Sequence, residues 1–99
     1  LARFSTLRSW LSQWSYDDAN ADGPRSLASV SCPVLVIGNT ADDACTPRHA
    51  KALFEAVSHN RKECHEVKGA SHYYMGQPEE ASAATKVVTA WLEKQGFPV

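Results

Sequence analysis

Two residues able to move a proton stand in matching settings in this sequence. Asp43 lies in Gly38-Asn39-Thr40-Ala41-Asp42-Asp43-Ala44-Cys45-Thr46-Pro47, and His72 lies 29 positions later in Lys68-Gly69-Ala70-Ser71-His72-Tyr73-Tyr74. Each loop follows a strand-like run and precedes a stretch of helical periodicity. Imidazole suits general-base work because its ordinary pKa, about 6.5, lies near working pH. A carboxylate on the other ring nitrogen fixes the tautomer and supports the imidazolium as it forms. Asp43 and His72 are therefore read as the acid and base of a catalytic triad.

The third member is harder to place. Gly69-Ala70-Ser71-His72-Tyr73 approaches the G-x-S-x-G elbow but puts tyrosine at the final glycine, where the strained turn wants a small flank. Ser71 also adjoins His72, a poor position for attack on a carbonyl held by that histidine. Cys45 shares the acid loop, with nothing in the sequence to activate it. The nucleophile is expected outside these residues. Asp42 is the other candidate acid, and by its place after a strand it reads as a turn residue bonding its own backbone.

For Asp43 and His72 to meet, the chain must bring two loops to one rim. Parallel strands joined by a right-handed crossover do this, because their C-terminal ends then share an edge of the sheet. Val34-Leu35-Val36-Ile37 is an unbroken apolar run, as in a strand buried on both faces, and Gly38 should end it. Thr46 as N-cap and Pro47 at the first helical position open a helix expected to reach Ser58, with His59 as a cation at its C-terminus. Lys62–Val67 is polar on both faces and reads as an edge strand, with His65 in solvent. Pro78 opens the last helix, Glu79 and Glu80 complement its dipole, and Lys94 and Gly96 mark its end. Its expected buried stripe is Ala81, Ala84, Val88, Trp91 and Leu92. Strand, helix, strand, helix with short links is a βαβα piece of an α/β sheet.

The first 30 residues are of another kind. Leu7, Trp10, Leu11 and Trp14 share one face of a helix expected over 3–14, and two tryptophans there require a large partner surface. Residues 15–24 read as a solvated connection, and Asp17, Asp18 and Asp22 lack the register of a calcium loop. Residues 25–31 read as a short helical turn leading into Cys32-Pro33.

Composition narrows the function classes. At 99 residues, 43% apolar and 21% charged, this is one ordinary globular domain or a piece of one. The net charge of −1 and the lack of a basic cluster give no support for nucleic acid or a membrane surface as partner. The three cysteines form no C-x-x-C pair and are expected as small buried or half-buried residues in a reducing compartment, with the cytoplasm favoured. No metal or organic cofactor is implied. The chain opens at Leu1 inside a helix-like pattern, which suggests truncation.

Taken together, Pro33-Val-Leu-Val-Ile-Gly38, Asp43-Ala-Cys-Thr-Pro47, Val67-Lys-Gly-Ala-Ser-His72 and Gln77-Pro-Glu-Glu80 resemble the C-terminal part of the α/β-hydrolase superfamily. The resemblance covers roughly residues 31–96, and residues 1–30 are similar, more weakly, to the exit from a cap region. It implies a mostly parallel sheet with flanking helices, and a small-molecule substrate with an ester, amide or related bond. Catalysis would need the missing N-terminal part of the same protein. It implies Asp43 as the acid, since the family's acid commonly stands four positions before the helix-opening proline, and His72 as the base. Relatives with an aspartate nucleophile open epoxides or remove halide. A non-catalytic binding or interaction module on the same fold is the rival expectation.

Overall fold

The computed structural model describes residues 4–99. Helix α1 spans Leu7–Trp14 and α2 spans Gly23–Leu27; then come strand β1 (Val34–Asn39), helix α3 (Pro47–Ala56), strand β2 (Lys62–Val67) and helix α4 (Pro78–Lys94). The chain is a small α/β unit, a two-stranded parallel sheet with flanking helices. β1 pairs with β2 in register from Val34 with Lys62 to Asn39 with Val67. The strand does not end at Gly38, as expected from sequence. Gly38 and Asn39 stay opposite Glu66 and Val67 and extend the ladder to the rim.

Alternation along the strands assigns the two faces. Val36 and Gly38 share one face with Cys64 and Glu66, and α3 covers it, its Ala50 and Phe54 lining a groove with those two β2 residues. Gly38 permits this approach, since a Cβ there would stand 3.0 Å from Ala50 Cβ. Ile37 shares the other face with Glu63 and His65. There α4 packs Val87 and Trp91 near β2, and Ala81 and Ala84 near Ile37.

The helix ends follow local rules. Thr46 and Pro47 open α3 as the sequence indicates. α3 stops at Ala56 rather than Ser58, because Val57 leaves the helix to become a buried core residue. His59 lies beyond it and, among the described residues, bonds none of its last carbonyls. His59 Nδ1 accepts from the Arg61 N–H. The cation at the end of α3 is Lys62, its Nζ donating to the carbonyls of Phe54 and Val57 at 3.0 Å each. α4 closes on Gly96 at φ 89°, with Phe97 N–H donating to Leu92 O and Gly96 N–H to Glu93 O, the paired bonds of a Schellman end. Asp22 is no loose loop residue; its Oδ1 accepts from Arg25 N–H and caps α2.

The core is small. Val36, Val57, Val67 and Ala70 are its buried apolar members among the described residues. β1 was expected to be buried on both faces, yet Val34, Leu35 and Ile37 are only half-buried. Among the described residues only β2 lies beside it, so its second edge has no strand across from it. Val88, expected in the α4 stripe, is exposed beside Ile37 for the same reason. β2 is exposed at Cys64, His65 and Glu66, in keeping with an edge strand. All three cysteines are free and exposed, contrary to expectation.

α1 stands apart. The expected start at residue 3 lies outside the described residues, and from Leu7 the helix is capped by Thr6, whose Oγ1 accepts from Ser9 N–H. Leu7, Trp10, Leu11 and Trp14 remain between 41% and 73% exposed, and among the described residues α1 packs against no other helix or strand. The radius of gyration is 15.5 Å, against about 13 Å for a compact chain of this length. No helix among the described residues is long and apolar enough to cross a membrane.

Candidate functional site

The parallel pairing brings the loop after β1 and the loop after β2 to the same rim, where they are sewn together. Thr40 N–H donates to Val67 O, Ala41 N–H to Ala70 O, and Gly69 N–H to Thr40 Oγ1 at 2.7 Å. Asn39 spans the seam, donating from Nδ2 to Ser71 O and accepting at Oδ1 from Tyr74 OH at 2.8 Å. Gln77, just before α4, holds the second loop from the far side. Its Oε1 accepts from Ser71 N–H at 2.8 Å and from Ser71 Oγ at 3.1 Å, while its Nε2 donates to Gly69 O at 2.8 Å. Tyr74 adopts φ 56°, a left-handed conformation uncommon outside glycine. A bend of that kind is kept where surrounding bonds hold it, here the Asn39 hydrogen bond.

On this frame a carboxylate meets an imidazole, and the carboxylate belongs to Asp42. Asp42 Oδ2 accepts from His72 Nδ1 at 2.8 Å. Asp43, the acid expected from sequence, is exposed and bonds no side chain among the described residues. The physical reason lies in the turn. Asp42 N–H donates to Asn39 O, tucking residue 42 under the rim, where it is 7% exposed. Its Oδ1 accepts from the N–H groups of Ala44 and Cys45, both at 2.8 Å. The self-bonding turn expected of Asp42 therefore exists, and its second oxygen remains free to hold His72. One aspartate does both jobs.

Burial raises the proton affinity of the Asp42 carboxyl, but the His72 bond and the Cys45 and Ala44 amides outweigh it and hold the pKa below the ordinary carboxylate value. An ionised Asp42 fixes the hydrogen of His72 on Nδ1, leaving Nε2 as the ring nitrogen with a free lone pair. No group among the described residues bonds Nε2, and the His72 side chain is 38% exposed. Such an imidazole can accept a proton from outside the chain and return it.

The neighbours complete the picture. Tyr73 meets His72 edge-on, with ring centroids 4.8 Å apart, and is itself exposed. Ser71 gives its hydroxyl hydrogen to Gln77, away from the imidazole, consistent with its rejection as nucleophile. Cys45 comes close, since one ligand-type atom from each of Asp42, Cys45 and His72 lies within 4.8 Å of the other two. Asn39, Thr40 and Gln77 escaped sequence reasoning. Their one signal was position, two at the end of an apolar strand and one just before a helix-opening proline.

Two curated Escherichia coli proteins, both described as "Uncharacterized 31.7 kDa protein in traX-finO intergenic region", are similar to this chain. Each is 41% identical over 71 residues, or 70% of this chain. The chain spans 24% of the length of these relatives. No family model matches the chain, and no solved structure matches it.

Proposed function

We propose that this chain supplies the acid and the histidine of an α/β hydrolase, with Asp42 orienting His72 as general base and then general acid. The observation that carries this reading is the 2.8 Å bond from a buried, doubly anchored carboxylate to an imidazole whose other nitrogen is unbonded. Three supports stand beside it. The two residues come from loops at the C-terminal ends of adjacent parallel strands, where α/β sheets place their chemistry. The order of carboxylate before histidine suits a triad whose nucleophile comes earlier in the chain. The half-buried β1 and the uncovered apolar face of α1 suit a piece that packs against further structure.

In this reading the nucleophile comes from residues outside these 99, and relatives of which the chain spans 24% have room for one. His72 Nε2 takes the nucleophile's proton as it attacks the carbonyl of an ester or amide, Asp42 stabilises the imidazolium, and the proton then passes to the leaving group. The full-length protein should turn over short-chain p-nitrophenyl esters, and a fluorophosphonate should label its nucleophile. His72→Ala should suppress both. Neither turnover nor labelling, in protein that is folded, would end the serine-hydrolase reading.

A further inference from the structure

The corner that holds the acid and the imidazole also holds a thiol. We propose that Asp42, Cys45 and His72 form a binding site for a zinc-class transition-metal ion. A carboxylate oxygen, a thiolate sulfur and an imidazole nitrogen are the donors such an ion prefers, whereas calcium and magnesium want oxygen alone. The three donor atoms lie within 4.8 Å of one another. With metal–ligand bonds of about 2.0–2.3 Å, neighbouring donors in a tetrahedral site stand about 3.3–3.8 Å apart. The present spacing brackets that range, with the Asp42–His72 bond at 2.8 Å on the short side. A turn of the exposed Cys45 side chain and a slight parting of the pair would close the shell.

The loop is built to hold these donors. Asp42 Oδ1 is tied to the Ala44 and Cys45 N–H groups, which fixes the carboxylate and the backbone of Cys45 together. Bonds of this kind behind a ligand orient it and sharpen affinity. Asp42 is buried while Cys45 and His72 are exposed, so an ion can enter from solvent, and three protein donors leave a fourth position for water.

Ligation releases the Cys45 thiol proton to solvent, and an ion on His72 Nδ1 shifts the ring hydrogen from Nδ1 to Nε2, with no net loss from the imidazole. An ion on Asp42 Oδ2 also competes with the hydrogen that Oδ2 accepts from His72 Nδ1, so the metal-bound and hydrogen-bonded forms exclude each other. Loss of proton transfer in the metal-bound form rests on the hydrolase reading above; the binding itself does not.

The test is a titration of the reduced chain with Co²⁺, followed by displacement with Zn²⁺. One equivalent of Co²⁺ should produce thiolate-to-metal charge-transfer absorption that Zn²⁺ abolishes. Cys45→Ser should remove the band, and Cys45→Ser and His72→Ala should each weaken Zn²⁺ binding at least about tenfold. Cys32→Ser and Cys64→Ser, both at exposed sites away from the cluster, should change neither. The wild-type chain gives a readout that needs no variant: one equivalent of Zn²⁺ should shift the His72 ring resonances. No charge-transfer band, a band that survives Cys45→Ser, or a Zn²⁺ shift confined to His49, His59 or His65 would overturn the proposal. Because none of these measures catalysis, a protein that binds zinc but hydrolyses nothing even when stripped of metal would refute the function above and leave this site standing.

Discussion

His72 Nδ1 rests 2.8 Å from Asp42 Oδ2, while Asp43, one residue further on, is exposed. Adjacent aspartates thus have unequal places in the fold. Asp42 serves His72 and two backbone amides; Asp43 serves neither.

The first prediction concerns stability. Asp42→Ala strips the acceptor from the Ala44 and Cys45 amides and from His72, so the urea midpoint should fall clearly. Asp43→Ala should change stability by no more than about 0.5 kcal/mol, as for an ordinary surface site. Equal effects in matched denaturation curves would contradict the assignment.

The second concerns acid. The folded-state pKa of Asp42 lies below its unfolded value, which is about 3.9 for aspartate. The stability this contributes is fully present above that unfolded value, because the unfolded chain takes up the proton first. It is lost as pH falls from there through the folded-state pKa. Wild-type thermal midpoints should therefore drop more steeply below about pH 4 than those of Asp42→Asn. Parallel curves would show that the carboxylate is not held as described.

The architecture that positions the site was largely legible in the sequence. Both strands, the helices after them and the Thr46-Pro47 and Pro78 starts follow from local rules of apolar runs, caps and proline placement. Which aspartate meets His72 was not. Counting back from Pro47 pointed to Asp43, whereas the turn set by the bond from Asp42 N–H to Asn39 O decides for Asp42, and its geometry depends on the second loop lying alongside. Apolar periodicity likewise shows that Val34, Leu35 and the α1 tryptophans can be covered, not what covers them. His59 was misread because helix length alone gave no hint that Lys62 would reach back to the end of α3.

Gln77 is predicted to position His72 without touching it. Gln77→Ala leaves the part-buried Ser71 N–H without its acceptor, a loss of about 1–3 kcal/mol. Amide exchange at Ser71 should accelerate far more than at Val36 in the sheet. Unchanged exchange at Ser71 would mean that the Gln77 bonds do not hold the loop.

Gly38 is predicted to set the distance between β1 and α3. Gly38→Ala puts a methyl group 3.0 Å from Ala50 Cβ, both atoms on regular backbone, so strand or helix must give by a few tenths of an ångström, and close seating of α3 resists it. The expected cost is about 1–3 kcal/mol in chemical denaturation, and the double variant Gly38→Ala/Ala50→Gly should recover part of it. No loss in the single variant would show that α3 is less closely seated than described.

Ester turnover by the full-length protein with either aspartate neutralised tests the central claim most directly. Asp42→Asn, which keeps the shape but holds His72 in the wrong tautomer, should lower kcat on the order of 10⁴-fold, and Asp43→Asn should leave it within about twofold. An active Asp42→Asn enzyme, or one silenced by Asp43→Asn alone, would contradict the account.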